Sequence, residues 1–256
     1  MVGRIIGIGI GPGDPELITI KAVKALKTAD VICVPKAHAE KPSMAFAMIK
    51  HILDERERPP EVLELVFPMT KDKSGLKRSW ARNADIVAEK AKSGKVVAFI
   101  TLGDPMFYST FIYLYQSVKE GYPEIKLEII PGIASLNACV ASSGIPLAER
   151  DEAVVIIPSN LDSKRIEELA KYTDNLVFMK GAQHLKDLVP ILERAGFTKN
   201  STIILARRCT MPEEKVMIGK LVDAQSWDIY EDYFSMVIIK RSELQSNSKQ
   251  GGVHYE

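Results

Sequence analysis

Short apolar runs alternate with amphipathic segments along the first half of the chain. The run at residues 4–10 is rich in β-branched side chains and bounded by glycines, which is typical of a buried strand. Comparable runs predict further strands at residues 31–34, 61–67, 95–102 and 125–130. Helical spacing predicts helices at residues 17–26, 43–53, 76–92, 107–119 and 132–144, with a polar loop at 70–75. Such alternation predicts a largely parallel sheet covered by helices.

The alternation starts again in the second half, after an interruption at residues 146–152. Strands are predicted at residues 153–158, 175–179, 201–206 and 233–240, helices at 163–172 and 185–195, and either a strand or a helix at 213–222. The chain is therefore expected to be an α/β protein with two α/β domains, at residues 1–145 and 153–242, joined by the linker 146–152. The polar, glycine-rich end, residues 243–256, is expected to be a flexible tail.

The composition excludes several classes of protein. With 34 basic and 33 acidic residues the formal net charge is +1, which argues against a nucleic-acid-binding protein. Cys33, Cys139 and Cys209 form no CxxC pair, which argues against a disulfide framework and a structural zinc site. The four histidines lack metal-ligand spacing, so no metal is expected. The chain start does not resemble a signal peptide and the apolar runs are too short to span a membrane, so we expect a cytoplasmic protein.

Three glycine-containing segments follow predicted strands and open helices. The GPGD loop is residues 11–14, the GDP loop is residues 102–110, and the PG turn is residues 131–135. Open α/β sheets bind ligands beyond the carboxyl ends of their strands, and glycine lets a backbone approach a ligand closely. One such loop is commonly an ordinary turn, but three at the strand ends of one domain favour a ligand site.

The glycines of the first strand do not form a dinucleotide-binding fingerprint. The third glycine of G-x-G-x-x-G is Pro12 when counted from Gly7, and Asp14 when counted from Gly9. This failure argues against a nucleotide-binding module or a nicotinamide-dependent oxidoreductase, which stay the rivals from a different class of protein. A non-catalytic regulator that retains the fold is a further alternative.

Taken together, the segments resemble the tetrapyrrole methylase family of S-adenosylmethionine-dependent enzymes. The matching stretches are GIGPGDPEL at residues 9–17, TLGDPMFYSTF at 101–111, PGIAS at 131–135 and RCTMPEEKV at 208–216. The GDP loop and the DYFS stretch at 232–235 are most similar to enzymes that methylate C-20 of precorrin-2 or cobalt-factor II on the route to cobalamin. Uroporphyrinogen-III C-methyltransferase and diphthine synthase share the GPGD and GDP elements and are the alternatives.

The resemblance implies two α/β domains with the active-site cleft between them, a homodimer, and S-adenosylmethionine as cofactor, with S-adenosylhomocysteine as its product. It assigns cofactor contacts to Leu102, Gly103, Asp104, Phe107, Ala134, Ser135 and Met179, with Ser109 and Thr110 beside them and Arg208 as a further candidate. Asp104 is expected to position the cofactor, and Asp14 to orient the substrate or receive a proton. Both aspartates could instead be helix caps only.

The implied substrate carries many carboxylates, so basic side chains are expected on its side of the site. Candidates on a predicted loop and helix are Lys71, Lys73, Lys77, Arg78 and Arg82. A solvated helix face explains the same residues equally well.

Overall fold

The computed structural model describes residues 2–38, 40, 42–68, 72–158, 161–180, 185–227, 230 and 232–244. Most of the predicted tail, residues 243–256, lies outside these ranges. The chain falls into two compact units, Met1–Ser135 and Leu136–Glu256. Within the described residues, each unit contains one five-stranded sheet. None of the described helices is long and apolar enough to cross a membrane.

The first sheet is fully parallel, as the alternation of strands and helices predicts. Its strands are β1 (Arg4–Gly9), β2 (Val31–Lys36), β3 (Glu61–Val66), β4 (Val96–Thr101) and β5 (Lys126–Ile130), in the order β3-β2-β4-β1-β5. Strand β1 pairs with both β4 and β5, with Gly9 opposite Thr101 and Ile8 opposite Ile130. The carboxyl ends of these strands therefore lie side by side.

Helices cover both faces of the first sheet. They are α1 (Ile20–Thr28), α2 (Met44–Asp54), α3 (Lys73–Lys92) and α4 (Phe111–Gly121). On one face, Ile8 of β1 packs in a cluster with Leu26 of α1 and Ile49 of α2. On the other face, Ile5 packs in a cluster with residues of α3 and α4, including Phe111. Burial on both faces explains why these strands read as continuous apolar runs.

The first helix begins later than predicted. Asp14 caps only a 3₁₀ helix, Pro15–Leu17, whereas α1 begins at Ile20 with Thr19 as its cap. The Thr19 hydroxyl accepts a hydrogen bond from the Ala22 amide at 3.2 Å. Ile20 is 75% exposed, so this apolar residue does not belong to the buried face of α1.

The third helix begins earlier than predicted. The Asp72 carboxylate accepts from the Ser74 amide at 3.0 Å, and α3 starts at Lys73, inside the predicted loop 70–75. Residues 70 and 71 of that loop lie outside the described residues. An aspartate cap therefore starts a helix that the polar composition did not reveal.

The second sheet is mixed, unlike the fully parallel first sheet. Its strands are β6 (Val154–Pro158), β7 (Asn175–Met179), β8 (Ser201–Arg207), β9 (Lys215–Lys220) and β10 (Ser235–Glu243), in the order β6-β7-β10-β8-β9. Among these described strands only β6 and β7 pair in parallel; β10 is antiparallel to β7 and β8, and β9 to β8. Residues 208–214, between β8 and β9, are too few for a parallel crossover.

Helices also cover both faces of the second sheet. They are α5 (Ser135–Ser143), α6 (Ser163–Lys171), α7 (Leu185–Arg194) and a 3₁₀ helix, Leu221–Gln225. The helices α6 and α7 pack on one face, in a cluster that contains Leu205 and Val237. Helix α5 packs on the other face, where Leu136 and Cys139 share a cluster with Ile204.

The predicted linker lies inside the second unit. Lys240 on β10 donates from Nζ to the carbonyls of Pro146 (2.8 Å) and Leu147 (3.1 Å) and pairs with Glu152 (3.1 Å). A hydrogen bond from Asn175 lowers the pKa of Glu152 against the effect of burial, and Lys240 lowers it further. Because a compact unit is not the same as an independently folding domain, the predicted domain limits stay a prediction.

Candidate functional site

Three loops meet at the carboxyl edge of the first sheet, and we call this region the glycine edge. The GPGD loop follows β1, the GDP loop follows β4 and the PG turn follows β5. Because β1 lies between β4 and β5 in a parallel sheet, the three loops leave the sheet side by side. The strand order thus brings together the segments that the sequence singled out.

Glycine is required at this edge because the backbones nearly touch. A Cβ atom on Gly9 would lie 2.6 Å from both the Gly103 carbonyl oxygen and the Gly132 amide nitrogen, closer than real Cβ atoms approach. A Cβ atom on Gly132 would lie 2.8 Å from the Gly9 Cα. The Gly103 amide also donates to the Gly11 carbonyl at 2.8 Å, with φ angles of +67° at Gly103 and +80° at Gly11. The three loops therefore pack as one backbone assembly.

Asp104 joins two of these loops through its carboxylate. Its Oδ1 accepts from the Met106 amide at 2.8 Å, and its Oδ2 accepts from the Gly132 amide at 3.1 Å. The side chain therefore shapes the GDP loop and also ties it to the PG turn. A carboxylate oxygen can accept more than one hydrogen bond, so these contacts leave acceptor capacity for a ligand. The alternative that Asp104 is only a helix cap was wrong, because the next helix, α4, has Thr110 at its cap position, and nothing in the sequence indicated the bond to Gly132.

Other predicted residues of the GDP loop are held by the protein itself. Leu102 is partly buried and packs against the core beneath α1 and α2. The buried Ser109 hydroxyl lies 2.9 Å from the Thr101 hydroxyl and accepts from the Phe111 amide at 3.1 Å. This contact makes α4 begin at Phe111, several residues later than predicted. Thr110 is half-buried beside it and makes no side-chain capping bond among the described residues.

Two aromatic residues form the middle of the GDP loop. The ring centroids of Phe107 and Tyr108 are 4.9 Å apart, in an edge-to-face arrangement. Phe107 is half-buried, whereas Tyr108 is exposed and has a φ angle of +52°. Bulky residues rarely adopt this left-handed conformation, and such strain is concentrated at functional loops.

The PG turn leads directly into α5, whose first residue is Ser135. Ala134 and Ser135 are half-buried. The first amides of a helix lack acceptors within the helix, so this position suits a carboxylate. The Ala134 Cα and the Ser135 amide nitrogen lie 3.8 Å and 3.9 Å from the position of a Cβ on Gly103. A side chain at Gly103 would therefore fill the space between the GDP loop and the PG turn.

Asp14 lies half-buried in the GPGD loop. Its Oδ1 accepts a hydrogen bond from the Glu16 amide at 2.8 Å. The predicted capping role is therefore confirmed, on a 3₁₀ helix, and its role toward a substrate stays a prediction.

The other predicted cofactor residues lie at one edge of the second sheet, which we call the arginine edge. It comprises the ends of β7 and β8 and the start of β10 between them. Met179 ends β7, and Lys180 and Arg208 follow β7 and β8 with φ angles of +57° and +48°. Their amides donate to the carbonyls of Ser235 and Phe234, each at 2.8 Å. Met179 and Arg208 are therefore brought to the same edge.

Acidic side chains hold the guanidinium of Arg208. Its Nε donates to Asp232 at 3.0 Å, and its Nη1 lies 3.8 Å from Glu213. Burial alone would raise the pKa of Asp232, but hydrogen bonds from the Phe234 amide and from Arg208 outweigh burial and lower it. The same pair raises the pKa of Arg208. Sequence reasoning missed Asp232 as a partner, because its separation from Arg208 along the chain carries no signal.

The predicted basic cluster on α3 is only partly described. Lys71 and the side chain of Lys73 lie outside the described residues. Lys77, Arg78 and Arg82 are exposed. Exposure suits both a solvated helix face and a surface for an anionic ligand, so a role for these residues stays a prediction.

Comparisons with known proteins show the family to which the chain belongs. The family model described as tetrapyrrole (corrin/porphyrin) methylases matches residues 4–225. A probable cobalt-precorrin-2 C(20)-methyltransferase of Methanocaldococcus jannaschii is 39% identical over 94% of this chain and 97% of its own length. A precorrin-2 C(20)-methyltransferase of a Sinorhizobium species is 30% identical over 93% of this chain and 95% of its own length.

A solved structure shares the fold. The uroporphyrin-III C-methyl transferase of Thermus thermophilus, in complex with S-adenosylhomocysteine, has a TM-score of 0.66 and 22% sequence identity to this chain. The match covers 93% of this chain and 97% of that one. At this identity the likeness shows the fold alone.

Proposed function

This chain belongs to the tetrapyrrole methylase family, and from that premise we propose that it transfers a methyl group to C-20 of precorrin-2 or cobalt-factor II in cobalamin biosynthesis. S-adenosylmethionine is the methyl donor of the family. One observation supports the choice of C-20 of precorrin-2 or cobalt-factor II as the methyl acceptor. Relatives 39% and 30% identical, matched over nearly their whole lengths, are named C(20)-methyltransferases of cobalt-precorrin-2 and precorrin-2.

The glycine edge supports the binding of S-adenosylmethionine. The position of a Cβ on Gly103 lies in a space bordered by Ala134 and Ser135, and glycine leaves that space free for a ligand. The first amides of α5, beginning at Ser135, suit an anionic group of a bound ligand. The residues proposed to contact the donor are Leu102, Gly103, Asp104, Phe107, Ser109, Thr110, Ala134, Ser135, Met179 and Arg208.

The contribution of the protein is positioning. When bound, the donor supplies an activated methyl group on a sulfonium whose leaving group is a neutral thioether. Holding reacting groups in line and excluding water can lower a barrier by roughly 7–11 kcal/mol. Asp104 serves this purpose by fixing the GDP loop to the PG turn, so we assign it a positioning role.

Asp14 is proposed to orient the substrate or to receive its proton. An Asp14→Asn variant separates this role from capping, because asparagine retains the oxygen that accepts from the Glu16 amide. Loss of methyl transfer with an unchanged unfolding temperature would support the catalytic role. Full activity would leave capping as its only role.

The acceptor is tested by offering several substrates to one enzyme. The purified protein and S-adenosylmethionine are incubated separately with precorrin-2, cobalt-factor II, uroporphyrinogen III and the protein substrate of diphthine synthase. Mass spectrometry should show one added methyl group on precorrin-2, cobalt-factor II or both. Methylation of uroporphyrinogen III or of the protein instead would reject the proposed acceptor.

We further propose a homodimer in the cytoplasm. The dimer rests on the resemblance to the family, and light scattering of the purified protein measures it directly. The location rests on the free cysteines Cys33, Cys139 and Cys209, since unpaired thiols are typical of a reducing compartment. Fractionation of the source cells tests the location.

A further inference from the structure

A buried arginine at the arginine edge has unused hydrogen-bond donors. Arg207 is the last residue of β8 and is 4% exposed. Its Nε and Nη2 atoms are buried and have no hydrogen-bond partner among the described residues. An unpaired guanidinium in such a position is unfavourable unless something else satisfies it.

A second unused polar group lies opposite Arg207. Ser235, the first residue of β10, is its register partner in the antiparallel pair of β8 and β10. Ser235 is 5% exposed, and its Oγ also lacks a hydrogen-bond partner within the described part of the chain. Two buried polar side chains with unmet hydrogen bonds therefore face each other across two neighbouring strands.

The described carboxylates near Arg207 do not use its free donors. The Asp232 carboxylate accepts from Arg208 and from the Phe234 amide, and so is already engaged. The ring of Tyr230 lies 3.9 Å from the Arg207 guanidinium carbon, where it packs on the flat face of the group and leaves its edge free. Because Asp232 and Glu213 both pair with Arg208, neither provides an acceptor for the Nε or Nη2 of Arg207.

We propose that Arg207 and Ser235 receive a carboxylate of a bound ligand. Nε and Nη2 lie along one edge of the guanidinium, and this edge matches the two oxygens of a carboxylate. The Ser235 hydroxyl provides a further donor beside it. The inference rests on the proposed function, whose two ligands both carry carboxylates: the amino-acid part of S-adenosylmethionine and the side chains of the tetrapyrrole.

Arg241 provides a matched control, because it is a half-buried arginine of the same sheet whose donors are used. Its Nη1 donates to the Gly196 carbonyl at 2.8 Å, and its Nη2 to the Ala170 carbonyl at 2.7 Å. Its Nε donates to the Thr173 carbonyl at 3.3 Å. Arg241 is therefore a structural residue, and its loss should affect stability rather than ligand affinity.

The test compares Arg207→Met with Arg241→Met. Unfolding temperature is measured without ligand, and calorimetry gives dissociation constants for S-adenosylhomocysteine, 5′-methylthioadenosine and cobalt-factor II. Arg207→Met should keep or raise the unfolding temperature, because it removes two buried donors that lack hydrogen-bond partners. It should weaken one carboxylate-bearing ligand by roughly 10- to 100-fold. Arg241→Met should lower the unfolding temperature by roughly 5 °C and leave affinities unchanged.

The ligands distinguish the two sources of the carboxylate. Weaker binding of S-adenosylhomocysteine, with unchanged 5′-methylthioadenosine, identifies the amino-acid carboxylate, because methylthioadenosine lacks it. Weaker binding of cobalt-factor II alone identifies a tetrapyrrole carboxylate. Unchanged affinity for all three ligands overturns the proposal and leaves Arg207 as a structural residue.

Failure of the proposed function would look different. If the wild-type protein binds no tetrapyrrole, the proposed acceptor is rejected, and the S-adenosylhomocysteine measurements alone decide the role of Arg207. Arg207→Lys and Ser235→Ala provide variants with smaller changes should Arg207→Met not fold. The lysine variant keeps the charge but lacks the two-donor edge, so it should also bind the affected ligand more weakly.

Discussion

The glycine edge and the arginine edge build most of their tight turns at strand ends in different ways, with Tyr108 (φ +52°) as an exception at the glycine edge. At the glycine edge, Gly11 and Gly103 take positive φ angles, and Gly9 and Gly132 leave no room for a side chain. At the arginine edge, Lys180, Arg208 and Thr210 take φ angles of +57°, +48° and +65° with their side chains retained. Space limits the choice of residue at the first edge, and charge does so at the second.

The difference shows what each edge contributes. A left-handed conformation costs a residue with a side chain about 1–2 kcal/mol. Arg208 bears that cost while its side chain pairs with Asp232, whereas no side chain fits between Gly9 and Gly132. Substitutions of Gly9 and Gly132 should therefore act through steric conflict, and those of Arg208 and Asp232 through electrostatics.

The largest effect is expected from Gly132→Ala. The new Cβ would meet the Gly9 and Gly103 backbones, which cannot move apart without separating β1 from its neighbours. We expect a loss of about 3 kcal/mol of stability and of measurable S-adenosylmethionine binding. Thermal unfolding and calorimetry measure both. Gly121→Ala is the control, since nothing in the described structure lies within 4 Å of its Cβ position; equal effects of the two changes would refute the steric account.

Asp104→Ala should have the next largest effect. It removes the acceptors for the Met106 and Gly132 amides, so we expect about 2 kcal/mol less stability and roughly 10- to 100-fold weaker cofactor binding. Calorimetry with S-adenosylmethionine gives the affinity. The stability and cofactor affinity of Asp104→Asn should lie between those of wild type and the alanine variant, because its NH₂ group cannot accept from the second amide. An affinity equal to wild type in the alanine variant would exclude the positioning role.

Gly103→Ala tests the cost of the backbone conformation separately from the cost of steric crowding. Its Cβ position has no described atom closer than 3.8 Å, but its φ angle is +67°. We expect a loss of about 1–2 kcal/mol from the backbone alone, less than for Gly132→Ala. A denaturant titration of both variants measures the difference. A larger loss of stability in Gly103→Ala than in Gly132→Ala would show that crowding does not distinguish these two glycines.

Asp232→Asn should have the smallest effect, and one that depends on pH. The pKa of Asp232 is lower in the folded protein than in the unfolded chain, where it is about 3.9. Its ionised form therefore stabilises the fold above that value, and the contribution is lost as pH falls through the folded pKa. Because Arg208 is partly exposed to solvent, we expect ionised Asp232 to contribute less than about 1 kcal/mol to stability. Unfolding temperatures of variant and wild type should differ at neutral pH and converge in acid; a gap that persists in acid would contradict the ion-pair account.

The sequence allowed most of the first unit to be predicted. Apolar runs located its strands to within a few residues, and their order along the chain indicated a parallel sheet with the GPGD, GDP and PG segments at one edge. Helix starts were less predictable, because the Ser109 hydroxyl and the Asp72 carboxylate act locally on backbone amides.

The second sheet was predicted less well. A β-branched run looks the same in a parallel or an antiparallel strand, so β10 carried no sign of its direction. The short connection of residues 208–214 was an available sign that β8 and β9 are antiparallel. The unused donors of Arg207 could not be predicted, because the order of residues along the chain does not show which of two adjacent arginines pairs with a carboxylate.

The most direct test of the proposed function is the position of the transferred methyl group. The protein is incubated with precorrin-2 or cobalt-factor II and S-adenosylmethionine carrying carbon-13 in its methyl group, and the product is examined by carbon-13 NMR. The account predicts a single enriched methyl group on C-20. Enrichment at any other carbon, or no transfer to either acceptor, would contradict it.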